Sequence, residues 1–109
     1  MIDFAVTIVS VVEALANSRA ANHIANQLIR SGTSPAPNYG EAQSAESRKD
    51  FIHKMKISLK ELRETLIWLR IIARKDLGDR DAIAEAIAEC NQLISIFVSS
   101  TKSADLNSQ

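Results

Sequence analysis

Apolar residues recur along this chain at helical spacing in four blocks, with polar stretches between them. The longest block runs from Ser47 to Lys75 without Gly or Pro. It carries Phe51, Met55, Leu59, Leu62, Leu66, Leu69 and Ala73 at intervals of 4, 4, 3, 4, 3 and 4. That near-3.5-residue repeat keeps one stripe against a partner helix, so it predicts a single long helix. At ~1.5 Å per residue the helix would span about 43 Å, more than a single-chain bundle of this size needs to cover its own core. Ser47, followed by Asp50, sets its start, because a serine hydroxyl caps the free amides of a first turn and a carboxylate suits that end. Leu77-Gly78 is expected to end it, glycine taking the left-handed closing position.

The other blocks follow the same rule. Residues 2 to 16 predict a first helix with Phe4, Ile8, Val11 and Leu15 on one stripe and Val9, Val12 and Ala16 on an adjoining one. The apolar arc is wider than one bundle core demands, which points to one face inward and another against a neighbouring subunit. Asn17 and Ser18 stop that helix or cap the next. The second begins near Arg19 and offers Ala21, Ile24, Ala25, Leu28 and Ile29 to the core. Pro35 and Pro37 each remove a backbone donor, so this helix ends or kinks near Thr33, and Asn38 to Ala45 resumes a turn or two. Asp79 or Asp81 opens the final helix, with Ile83, Ile87, Cys90, Ile94, Phe97 and Thr101 inward. The chain therefore reads as one all-α domain over residues 1–103, with a frayed tail at 104–109.

Charge changes the picture more by place than by sum. Thirteen basic residues balance thirteen acidic ones, yet residues 48 to 75 hold nine Lys/Arg against three Asp/Glu. Complementary helix faces within or between subunits explain this most simply. The alternative is a phosphate-binding stripe of Lys49, Lys56, Lys60, Arg63, Arg70 and Arg74. Overall neutrality removes the long-range attraction of most nucleic-acid binders, so the stripe is the second choice.

Candidate chemistry is sparse. The one cysteine, Cys90, lies in an apolar stripe and is expected to be a buried, unreactive thiol in a reducing, cytoplasmic setting. The apolar N-terminus lacks a basic leading region, and no run reaches ~18 uninterrupted apolar residues, so neither a signal peptide nor a membrane span is expected. Asp50 and His53 form an i, i+3 pair but lack the second pair and the further carboxylates that a bundle metal site needs. His23 reads as a surface histidine, and Trp68 as packed at a helix or subunit contact. No cofactor, metal or enzyme activity is expected. The polar group Arg30, Ser34, Asn38 and Glu41 is the remaining candidate site. It reads as a hydrogen-bonded network at the kink that fixes how the second and long helices meet, in preference to a ligand pocket.

The run from Leu28 to Ile72 resembles the four-helix bundle proteins first noticed as products of intervening sequences in large-subunit ribosomal RNA genes. Gln27, Leu28, Arg30, Ser31, Ser34, Asn38, Glu41, Ser47, Asp50 and Phe51 carry the resemblance. It implies an antiparallel up-and-down four-helix bundle assembling as a homopentamer, which suits the surplus apolar arc of the first helix. One branch of that family resembles the accessory protein of diversity-generating retroelements, a basic pentamer working with a reverse transcriptase and RNA. Two prolines in the kink depart from the family pattern. The expectation is a non-enzymatic, self-assembling scaffold or adaptor, whose partners are its own copies and an unidentified protein. The alternative is a nucleic-acid-binding accessory factor.

Overall fold

The computed structural model describes residues 1–107, and helices are the only regular elements among them. They are α1 (Ile2–Glu13), α2 (Arg19–Thr33), α3 (Pro35–Gln43), α4 (Arg48–Lys75) and α5 (Arg80–Asn107). With α2 and α3 as two halves of one kinked rod, they form a bundle measuring 49 × 20 × 19 Å. A 28-residue helix is about 42 Å long, so α4 and α5 set the long dimension. The α4 helix packs against α5, α3 and α2, whereas α1 leans on α2 and α5. The four rods therefore enclose one core, in which Phe4, Ile8, Leu28, Met55, Leu62, Leu69, Ile72 and Cys90 are fully buried.

Local chemistry sets the helix starts. Ser18 accepts a hydrogen bond from the Ala21 amide at 3.1 Å, Ser47 from the Asp50 amide at 3.1 Å, and Asp79 from the Ala82 amide at 3.0 Å. These caps satisfy amides that have no partner inside their own helix.

The prolines work by position. Pro35 opens α3 and Pro37 lies in its first turn, where amide hydrogens are free anyway. Ser34 between the halves keeps helical angles, and its amide still reaches the Arg30 carbonyl at 3.1 Å. The hydroxyls of Thr33 and Ser34 donate to the Ile29 and Arg30 carbonyls, both at 2.6 Å. The helical path is thus interrupted only at Ser34 and resumes at once from Pro35 to Gln43, earlier than the expected Asn38 to Ala45.

Several expectations need correction. The α1 helix stops at Glu13 rather than residue 16, because the Ala16 amide turns to the Leu77 carbonyl at 2.9 Å. Asp76, not Gly78, takes the left-handed position that closes α4, with φ 55° and ψ 49°. An aspartate tolerates that region through its short polar side chain. Gly78 serves a close approach instead, since a Cβ there would lie 3.1 Å from Leu15 Cδ2. The buried stripe of α4 is also turned from the expected one. Phe51 and Leu59 are only partly buried and Ala73 is exposed, while Ile52, Ser58, Thr65 and Ile72 are buried. The chain stays helical past residue 103 as far as Asn107, where a frayed tail was expected. Thr101 is buried and donates to the Phe97 carbonyl at 2.7 Å, and Asp105 pairs with Lys56 at 3.7 Å. Residues 108 and 109 lie outside the described part.

Candidate functional site

The four polar residues of the kink do not converge on one point. Three of them form separate rungs from the kinked rod to α4. Arg30 pairs with Glu64 and also reaches Gln27 at 3.3 Å. Asn38 donates to Glu61 Oε1 at 2.7 Å, and Glu41 accepts from Lys54 Nζ at 3.1 Å. Ser34 stays local on the Arg30 carbonyl. Trp68 extends the first rung. Its indole N–H reaches Glu64 at 3.3 Å, and His23 stands edge-on to its ring with centroids 6.2 Å apart. Both rings thus lie on the seam between α2 and α4.

Beneath the rungs is a contact that counting apolar residues passes over. Thr65 Oγ1 lies 2.9 Å from Ser31 Oγ and 2.8 Å from the Glu61 carbonyl oxygen, and both side chains are fully buried. Each hydroxyl has one proton, so the pair is satisfied when Ser31 donates to Thr65 and Thr65 to the carbonyl. The next residue, Gly32, meets α1, where a Cβ would lie 2.6 Å from Ile8 Cγ2. The visible signal was the small residues Ser31 and Gly32 side by side, where a core stripe would put bulk.

Cys90 is fully buried, and its thiol donates to the Leu62 carbonyl at 3.2 Å. Burial, aided by neighbouring Glu89, pushes the thiol up to about 12, so the nucleophilic thiolate is strongly disfavoured at neutral pH. Among the described residues no three His, Cys, Asp or Glu side chains converge as metal ligands would. His53 is exposed.

The outward faces are the other candidates. Lys49, Lys56, Lys60, Arg63, Arg70 and Arg74 are all exposed. At 3.6 residues per turn they lie within an arc of about 80° on α4, so they form one stripe. Lys56 pairs with Asp105, while the other five make no ion pair among the described residues. Ile67, 57 % exposed, interrupts the stripe, and Ile71 stands beside it. On α1, Ile2, Val6 and Val9 stay outward at 75, 57 and 36 % exposure, along the line that ends in Glu13. By length and composition α5 is apolar enough to cross a membrane, over Arg80–Leu106. Its inner face is nevertheless built into the core through Ile83, Ala86, Cys90 and Phe97.

The family model described as 23S rRNA-intervening sequence protein matches residues 1–99. The chain belongs to that family. Its fold is shared by a crystal structure described as a protein with unknown function from the S23 ribosomal protein family, from Bacteroides thetaiotaomicron. That protein is 35% identical, with a TM-score of 0.85 over 93% of this chain and 94% of the other. No curated protein sequence matches the chain. Membership in the intervening-sequence family thus agrees with the resemblance carried by Gln27 to Phe51, and this family member keeps the all-helical bundle.

Proposed function

We propose that this chain is a non-enzymatic, self-assembling scaffold or adaptor. Its rods run up and down in antiparallel order, and five copies close into a homopentamer in the cytoplasm. The observation that supports it most is the outward line Ile2, Val6 and Val9 on α1. Three aliphatic side chains on one 12-residue helix, outside a core that is already complete, leave apolar surface that copies of the chain can cover. The charge pattern fits the same reading, because a basic α4 and acidic neighbours complement each other between subunits. An assembled ring would present the remaining surface to a further protein. Multi-angle light scattering at micromolar concentration tests this, with five chains as the expected mass. A single folded 12.0 kDa chain rejects it.

A second reading is favoured by one observation, the single exposed face that carries six of the nine basic side chains of α4. It makes the protein an accessory factor for RNA or DNA. The descriptions of the family and of the similar protein, which mention 23S rRNA and a ribosomal protein, suggest its ligand class. Five copies around an axis would multiply a modest local patch. Titrating labelled single- and double-stranded RNA and DNA at two salt concentrations decides it. Steeply salt-dependent binding supports the factor, and no binding at low salt removes it.

A further inference from the structure

We infer that copies of this chain join head to tail, the outward line of α1 on one copy seating on the Arg63–Arg74 half of α4 on the next. The inference rests on the self-assembly reading and names its two contact faces. First, the faces match in spacing. Ile2, Val6, Val9 and Glu13 recur at intervals of 4, 3 and 4 on α1, and Arg63, Ile67, Arg70 and Arg74 recur at the same intervals on α4. This is the spacing by which side chains of one helix enter the gaps of another. Each line is about 17 Å long at 1.5 Å per residue.

Second, the faces are complementary in character and not self-complementary. Both put aliphatic side chains outward, Ile2, Val6 and Val9 on one and Ile67 and Ile71 on the other. The exposed charges beside α1 are Asp3 and Glu13, while those beside Ile67 are Arg63, Arg70 and Arg74. A two-fold contact of α1 on α1 sets carboxylates against carboxylates, and α4 on α4 sets guanidinium groups against one another. Pairing α1 with α4 joins opposite charges around an apolar centre. It is also the only kind of contact an odd-numbered ring can use, since such a ring has no two-fold axis.

Third, the heights agree. Met1 lines the same groove as Met55, and the Ala16 amide meets the Leu77 carbonyl, so α1 climbs the bundle beside the 55–77 stretch of α4. Copies related by rotation about an axis along the rods keep their heights. The outward line of α1 then falls within the 55–77 height range of α4, the range that holds Arg63, Ile67, Arg70 and Arg74. The pairing divides the basic stripe, taking Arg63, Arg70 and Arg74 into the contact and leaving Lys49, Lys56 and Lys60 to solvent.

The full chain tests this by light scattering and circular dichroism. Val9→Arg spoils the α1 face and Ile67→Arg spoils the α4 face, each expected to weaken association roughly tenfold to a hundredfold while leaving helicity intact. An equimolar mixture retains one good α1 face and one good α4 face, so it should form complexes of two chains and no larger. Glu13→Arg should also disassemble the protein, and adding Arg70→Glu to the same chain should restore it. Wild-type size in both single-face variants, or no complex in the mixture, overturns the pairing while self-assembly stands. A wild-type protein that is itself one chain removes the self-assembly reading first.

Discussion

The seam between the kinked rod and α4 differs from the outward faces of α1 and α4 in how completely its groups are partnered. Along the seam Arg30, Asn38 and Glu41 each find a charged partner on α4, beneath them the buried Ser31 and Thr65 satisfy one another, and in the core Cys90 of α5 reaches an α4 carbonyl. Ser58 is the one buried side chain whose oxygen lacks a partner among the described residues. Outside, Ile2, Val6, Val9, Ile67 and Ile71 meet solvent, and five of the six stripe cations have no ion pair among the described residues. Folding of one copy accounts for the buried groups Ser31, Thr65 and Cys90, since buried polar atoms left unpaired are costly. It does not account for the outer ones, so these point to association.

If that division holds, inner substitutions should cost stability and outer ones should not. The largest effect belongs to Leu62→Ala, which empties a fully buried site at the centre of α4 and should cost about 2–5 kcal/mol in urea unfolding. Gly32→Ala comes next. Its methyl would press on the Ile8 side chain where α2 crosses α1, costing about 1–3 kcal/mol, and Ile8→Val in the same chain should recover part of the loss.

Cys90 sharpens the comparison through pH. Its folded thiol is held at about 12 against an ordinary 9.0, chiefly by burial. The unfolded chain therefore loses this proton first. The contribution is complete below pH 9 and is lost as the pH rises toward 12, so urea midpoints should fall across that window in wild type and less in Cys90→Ala. At pH 8 a thiol reagent should label Cys90 only as fast as the chain opens.

Smaller still, Ser31→Ala takes the proton that Thr65 accepts and should cost about 1 kcal/mol. Ser58→Ala removes an oxygen that makes no bond, so its melting temperature should equal or exceed that of wild type. Equal losses at both serines would contradict the assignment of partnered and unpartnered hydroxyls. The smallest folding effect, within about 0.5 kcal/mol, is expected for Val9→Arg, whose consequence should appear in particle mass instead.

Much of the inner architecture was legible because it depends on local chemistry. Ser18, Ser47 and Asp79 announce helix starts through short polar side chains beside apolar repeats, and Pro35 with Pro37 marks the bend. Less legible were features decided by contacts between distant residues. The Ala16 amide bonds to Leu77 and shortens α1, and Leu15 presses close to Gly78 while Asp76 turns left-handed. A stripe counted from apolar residues skips Ser58 and Thr65, which occupy the core of α4 as small polar groups, and so misplaces its centre. The kink residues were identifiable as polar and clustered in sequence. Their partners Glu61, Glu64 and Lys54 lie 13 to 34 positions away, where no local pattern reaches.

The central claim is that the outward α1 face exists to be covered by another copy. Sedimentation equilibrium of the wild-type chain at micromolar concentration tests it most directly. The account predicts a particle of five 12.0 kDa chains that falls to one folded chain with Val9→Arg, and a wild-type particle of one folded chain would contradict it.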